Sequence, residues 1–404
     1  WSSDVCSSDL VFSLLLNLGL LAYFKYANFL MDNLNLLLSA AGGKPVAWTK
    51  VALPIGISFF TFQSLTYTID VYRRQHAPLQ HLHDYLLYIL MFPQLIAGPI
   101  VRFNTIADDL VDRRHNDTVE HKLYGVYRFA IGLAKKVLIA NVLGAQVDAV
   151  YALPHEAVTG TLARVAALSY SFQIYFDFSG YSDMAIGLGY LLGFKFPENF
   201  NDPYTSLNVS EFWRRWHITL GTWFRDYLYI PMGGNRVSPV RTYLNLAIVF
   251  VVCGIWHGAG WSFLVWGIWH GLFIVCDKLF LNKALSKLPN LLRVLLTFLV
   301  VTVGWIFFRT ETITEALFYI GRLFDFHFTY THLGAEFITM LVLACLFSFC
   351  TLTPIGKRVE ATCYAETRPE WQHYLSFVCA MLLLLMSASY ISASAFNPFI
   401  YFKF

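Results

Sequence analysis

The sequence predicts an all-α polytopic membrane protein of about ten spanning or re-entrant helices. Three observations carry that prediction. Apolar residues make up 57% of the 404 residues and charged residues only 14%, against about 45–50% and about 25% in a soluble domain. The apolar residues fall in continuous runs, such as Leu291 to Phe308 and Phe337 to Leu352, not in the alternating pieces of about ten residues that build an outer-membrane barrel. Only helices and closed barrels satisfy every backbone group in lipid. Disorder, a disulfide-stapled module and an ordinary cytosolic enzyme are excluded. A net charge of +3 gives no sign of a nucleic-acid partner.

The expected spans are 10–30, 51–71, 85–96, 123–147, 161–178, 243–257, 261–280, 291–308, 334–352 and 374–392. Several fall short of the ~17–25 residues that cross a bilayer, or contain breakers. Phe92-Pro93-Gln94-Leu95-Ile96-Ala97-Gly98-Pro99 interrupts one with two prolines. Phe178-Ser179-Gly180-Tyr181-Ser182-Asp183 is expected to interrupt another with polar residues. Broken helices at membrane depth persist where protein or a wet cavity surrounds them, so both breaks are expected to line a cavity. Residues 1–9 are polar and unlike the rest of the chain. Residues 1–10 read as a non-native tail, and residues 11–404 as a single membrane domain truncated at its N-terminus.

Charge returns between Lys195 and Arg241, where 10 residues are charged. This stretch reads as interfacial. Ser210 is the expected N-cap of a helix running from Glu211 towards Tyr229. On it Trp213, His217, Leu220 and Phe224 share one face, and Glu211 reaches Arg215 at i, i+4. From Thr242 to Cys276 charge vanishes for 35 residues. That is too long for one span, so Gly258-Ala259-Gly260 predicts a helical hairpin. It carries two Trp-His-Gly triplets, at Trp256 and at Trp269.

Ionisable groups inside a span are costly and therefore candidates for function. His257, beside the hairpin break, is the first: a neutral imidazole suits general-base work. His270 lies mid-span and reads as packing. His217 is either an interfacial anchor or a partner brought to His257 by tertiary structure. Asp177 and Asp183 would hold Arg214 or Arg215, or orient a histidine. Arg214, Arg215 and Arg225 suit a phosphate-rich donor or an interfacial anchor. Trp213, Trp256 and Asp177 join Arg214 and Arg215 as candidate substrate contacts. The loop with His76, His81, His83 and Asp84 matches no zinc spacing, and the seven cysteines form no CxxC pair, so no metal site is expected. Nucleophile-elbow, HExxH and phosphate-loop motifs are absent.

Taken in order, Phe92 to Pro99, Tyr175 to Asp183, Phe212-Trp213-Arg214-Arg215-Trp216-His217 and Trp256-His257-Gly258 resemble the membrane-bound O-acyltransferase (MBOAT) family. Tyr23 to Phe29, Leu53 to Phe59 and the ending Pro398 to Phe404 place the likeness among membrane subunits that acetylate bacterial alginate. The resemblance implies a helical bundle around a tunnel, with His257 at its narrow point and His217 as a second polar group. It implies an acyl thioester co-substrate, acetyl-CoA or an acyl carrier, with no bound cofactor. It also implies the bacterial inner membrane, periplasmic acetyl-transfer partners and O-acetylation of an extracellular polysaccharide such as alginate. D-alanyl transfer to teichoic acid, and transport without covalent chemistry, remain as alternatives. Basic residues are spread over many loops, so counting them along the chain gives no membrane orientation.

Overall fold

The computed structural model describes residues 6–366, 368–393 and 399. Trp1 to Val5 of the N-terminal tail, and all of the Pro398–Phe404 ending except Phe399, lie outside the described residues. Helices make up the described secondary structure, with no strand among those residues. The first group is α1 (Ser7–Ala40), α2 (Ile57–Tyr72), α3 (Leu82–Leu90), α4 (Phe92–Leu95) and α5 (Phe103–Val111). The second is α6 (Val119–Ala134), α7 (Asn141–Tyr151), joined to α6 by a π-helical turn at Lys135–Ala140, and α8 (Gly160–Leu191). Then come α9 (Val209–Arg215), α10 (Ile218–Phe224), α11 (Pro239–His257), α12 (Trp261–Cys276) and α13 (Asn282–Leu285). The chain continues through α14 (Asn290–Arg309), α15 (Ile313–Leu323), α16 (Ala335–Phe349), α17 (Pro354–Cys363) and α18 (Glu370–Ala393).

Seven helical stretches among the described residues are long and apolar enough to cross a membrane. They are Ser7–Ala40, Val119–Tyr151, Pro239–His257, Trp261–Leu285, Asn290–Arg309, Ala335–Leu352 and Glu370–Ala393. The other three expected spans fall on α2, the α3–α4 pair and α8. The first two are too short, and α8 is too rich in polar residues to register as lipid-facing.

α8 overturns the expected break at 178–183. It is continuous over 32 residues, about 48 Å at 1.5 Å per residue, and it is the most buried helix of the bundle. Gly180 marks a helix crossing there, not a turn. A Cβ at Gly180 would lie 2.7 Å from the Gly132 carbonyl oxygen, and one at Gly125 would lie 2.7 Å from that of Gly187. Two glycines seven residues apart on each helix thus let α6 and α8 touch backbone to backbone, as small residues do in membrane bundles. The polar residues are satisfied across the same crossing. Asp183 binds Arg128 and Lys135, both at 2.6 Å, and Asp177 pairs with Lys136. Arg128 also reaches Glu198 at 2.6 Å. The aspartates therefore hold α6 and its π-turn; neither meets Arg214 or Arg215. Stranding one partner of such a buried pair costs about 3–5 kcal/mol.

The break at Pro93 is present: α3 stops at Leu90, Phe92–Leu95 makes one turn, and the chain then runs extended past Gly98. The hairpin is also present. α11 and α12 are separated at Gly258–Gly260, where a side chain on Gly258 would run into the Phe263 ring.

Polar contacts sort the helix ends into two rims. On one, Ser7 meets Tyr72, Arg73 and Arg102 meet Asp226, Asn208 meets Asn282, and Lys278 meets Asn235. On the other, Arg309 at the far end of α14 pairs with Asp148 of α7, and Arg164 binds the Asp325 carbonyl.

Candidate active site

His257 is the last residue of α11, where helix carbonyls lose their intrahelical partners. α1 supplies replacements. Tyr26 Oη donates to the Ile255 carbonyl at 2.6 Å, and Lys25 Nζ donates to the Trp256 carbonyl and, at 3.2 Å, to Ser58 Oγ. The ammonium also sits 5.6 Å from the Trp256 ring centroid. The middle of α1 thus fixes the end of α11, where His257 sits. Its ring stands edge-on to Trp256, Trp266 and Phe308 at centroid separations of 4.9, 5.0 and 5.3 Å.

His257 borders two cavities. The outer one, of about 170 Å³, is lined by Lys25, Ser58, Phe59, Ile96, Trp256 and the 53–57 segment. Gly56 turns that segment with φ 77° against the Leu95 carbonyl, which a Cβ would overlap. Ile96 arrives there because of the Pro93 break, so this interruption does line a cavity. The inner space, about 10 Å³, lies among Ile174, Phe178, Trp216, Trp266, Trp305 and Phe308. It is the size of one water. His257 therefore lies between an open vestibule and a one-water space walled by aromatic rings.

His217 stands edge-on to Phe178, with ring centroids 4.7 Å apart, and Phe178 lines the smaller space together with His257. The expected continuous helix from Glu211 to Tyr229 does not form. α9 is capped by Asn208, whose side chain accepts from the Glu211 amide at 2.7 Å. Ser210 lies inside the first turn and binds Asp277. Trp216 is extended and His217 is left-handed at φ 45°, ψ 54°, a conformation costing about 1–3 kcal/mol outside glycine. The loop after α8 causes the break. The Asn201 amide takes the Arg215 carbonyl and the Ile218 amide takes the Asn199 carbonyl, both at 2.9 Å. With the helix broken, Trp213, His217, Leu220 and Phe224 no longer share a face.

The remaining candidates scatter. Trp256 lines the vestibule and stacks on Phe62, which stacks in turn on Trp223. Trp213 packs on Phe250, Trp266 and His270, outside both cavities. His270 is fully buried among Trp213, Trp266 and Trp305, as a packing residue would be. Arg215 is held by Glu211 at 2.7 Å, as the i, i+4 spacing predicts, and by Thr205 at 3.0 Å. Arg225 binds Asp226. Arg214 is exposed. Asp177 is buried against Lys136. Among the described residues, no three His, Cys, Asp or Glu side chains gather as a metal site would require. Lys25, Ser58 and Asn199 are residues of the site that sequence reasoning misses. Lys25 carries a usable signal, because a lysine in the middle of an apolar span needs a reason. Asn199 and Ser58 carry none: only the folded chain brings them to the histidines.

The MBOAT family model matches residues 9–308. A probable alginate O-acetylase of Pseudomonas putida is 40% identical, with 96% of this chain aligned to 82% of that protein. A peptidoglycan O-acetyltransferase of Helicobacter pylori is 34% identical over 98% of this chain and 82% of its own length. A teichoic acid D-alanyltransferase of Bacillus subtilis is 29% identical over 63% of this chain and 68% of its own length. A multi-pass bundle with a histidine between two cavities, and matches of this extent, lead to one conclusion: the chain belongs to the membrane-bound O-acyltransferase family.

Proposed function

We propose that this O-acyltransferase moves an acetyl group from a cytoplasmic thioester, acetyl-CoA or an acyl carrier, for O-acetylation of an extracellular polysaccharide such as alginate. The observation that carries the proposal is the position of His257, between a vestibule and a small aromatic-walled space, in a chain 40% identical to a probable alginate O-acetylase. His257 takes the proton from an acceptor hydroxyl, whose oxygen attacks the thioester carbonyl carbon. The C–O bond forms as the C–S bond breaks. The thiolate leaves and recovers the proton from the imidazolium. His217 orients His257 or stabilises charge beside it. Trp256 offers an aromatic wall to the acyl group, and Arg214 an exposed cation to the donor. Trp213, Arg215 and Asp177 support these groups through packing and ion pairs. Periplasmic acetyl-transfer proteins take the group onward to the polymer.

The D-alanyl reading has less behind it, since its relatives align with under two thirds of this chain. Membranes containing the protein and its operon partners, given labelled acetate or labelled D-alanine, separate the two. Acetate is expected in the polymer. Label from D-alanine alone would overturn the proposal.

A further inference from the structure

His217 has two ring nitrogens in different surroundings. Nδ1 lies 3.0 Å from Asn199 Oδ1. Nε2 is buried and has no hydrogen-bond partner among the described residues. Which nitrogen carries the proton is decided by what Asn199 presents. Its Oδ1 also meets the Thr219 backbone amide at 3.3 Å and Thr219 Oγ1 at 2.8 Å. A backbone N–H can only donate, so the atom it meets is the amide oxygen. Thr219 Oγ1 already accepts from the Ile100 amide at 2.9 Å, which turns its own hydrogen towards Asn199. The Asn199 nitrogen in turn lies 3.1 Å from Ser182 Oγ. Asn199 is fully buried, and its carbonyl closes the α9–α10 break through the Ile218 amide. An amide oxygen has no hydrogen to donate, so His217 Nδ1 must carry the hydrogen between them.

We infer that Asn199, held by Thr219 and Ser182, is a positioning residue that locks His217 in its Nδ1–H form and leaves the buried Nε2 lone pair as a hydrogen-bond acceptor. This rests on the proposed acyl transfer and chooses between the two roles given there to His217. A neutral ring with a bare Nε2 cannot donate to an oxyanion. It acts by accepting a hydrogen bond at Nε2, and it can take a proton there. The helix break and the left-handed backbone of His217 then have a purpose: they swing Nδ1 onto the 199–201 loop and free Nε2.

The test has two arms. In purified wild-type protein with 15N-labelled histidine, the His217 resonances, assigned by their loss in His217→Gln, should show the proton on Nδ1. A proton on Nε2 overturns the inference whatever the enzyme's activity. In the second arm, Asn199→Asp is compared with wild type by the pH dependence of kcat/KM for thiol release from acetyl thioester. A carboxylate beside Nδ1 stabilises the imidazolium, so the acid limb should move to higher pH by about 1–3 units. An unmoved limb in a folded variant overturns the inference. If Asn199→Asp does not fold, Thr219→Ala takes its place, with loss of the single-tautomer signal expected and its full retention counting against the proposal. His217→Gln is the separate check on the acyl-transfer site: unchanged thiol release there would refute that assignment while leaving the tautomer measurement to stand alone.

Discussion

At the scale of single residues, the site is a histidine whose position depends on groups from distant helices. Lys25 illustrates the dependence. It joins the Trp256 carbonyl, the Ser58 hydroxyl and the wall of the vestibule. Lys25→Met keeps the length of the side chain and removes the donors. It leaves a buried carbonyl without a partner, which costs about 1–3 kcal/mol. The expected outcome is a lower melting temperature in detergent and a fall in kcat larger than any rise in KM, because the end of α11 is no longer held. Unchanged kcat with a lowered melting temperature would confine Lys25 to a structural role. Sequence makes His257 visible through the absence of charge around it. It does not show Lys25 as its neighbour, since 231 residues separate the two hydrogen-bonded groups.

At the scale of elements, the legible parts are those encoded by local pattern. The α11–α12 hairpin is readable because an uncharged stretch of 35 residues with a central Gly-Ala-Gly has few other solutions. The Pro93 break is readable because proline lacks the donor that a helix needs. The failures share one cause. Gly180 and the nearby polar residues look like a break, yet tertiary contacts keep α8 helical: Gly132 sits against Gly180, and Arg128, Lys135 and Lys136 neutralise the two aspartates. Conversely, Glu211 to Tyr229 has a helical pattern, yet the loop at 199–201 takes the hydrogen bonds that would have continued it. The α6–α8 crossing yields a prediction. Gly132→Val places a branched side chain where no space exists, and overpacking of this kind costs about 1–3 kcal/mol or more. Gly19→Ala, at a helical position with nothing within 4 Å, should be neutral or slightly stabilising. Melting curves of the two variants check the contrast. Equal stability would mean that α6 and α8 do not touch at this point.

At the scale of the whole molecule, the fold gathers paired charges at two rims. One rim holds Arg73, Arg102 and Arg225 around Asp226, with Lys278 close by at Asn235. The other holds Arg309 with Asp148 and Arg322 with Asp325. On the proposed acyl transfer, the first rim, beside exposed Arg214, is the side that meets the thioester donor. In a cysteine-free background, Arg236→Cys should react with an impermeant maleimide in inverted vesicles, and Glu311→Cys in right-side-out ones. The reverse labelling would invert the direction of transfer. The central claim is that one imidazole, set between an open vestibule and a small aromatic-walled space, carries out acyl transfer. It is tested most directly with His257→Ala, purified beside wild type and matched for expression and melting temperature. Substrate-dependent release of free thiol from acetyl thioester should be abolished, and polymer acetylation in cells with it. Retained release at the wild-type rate would contradict the account.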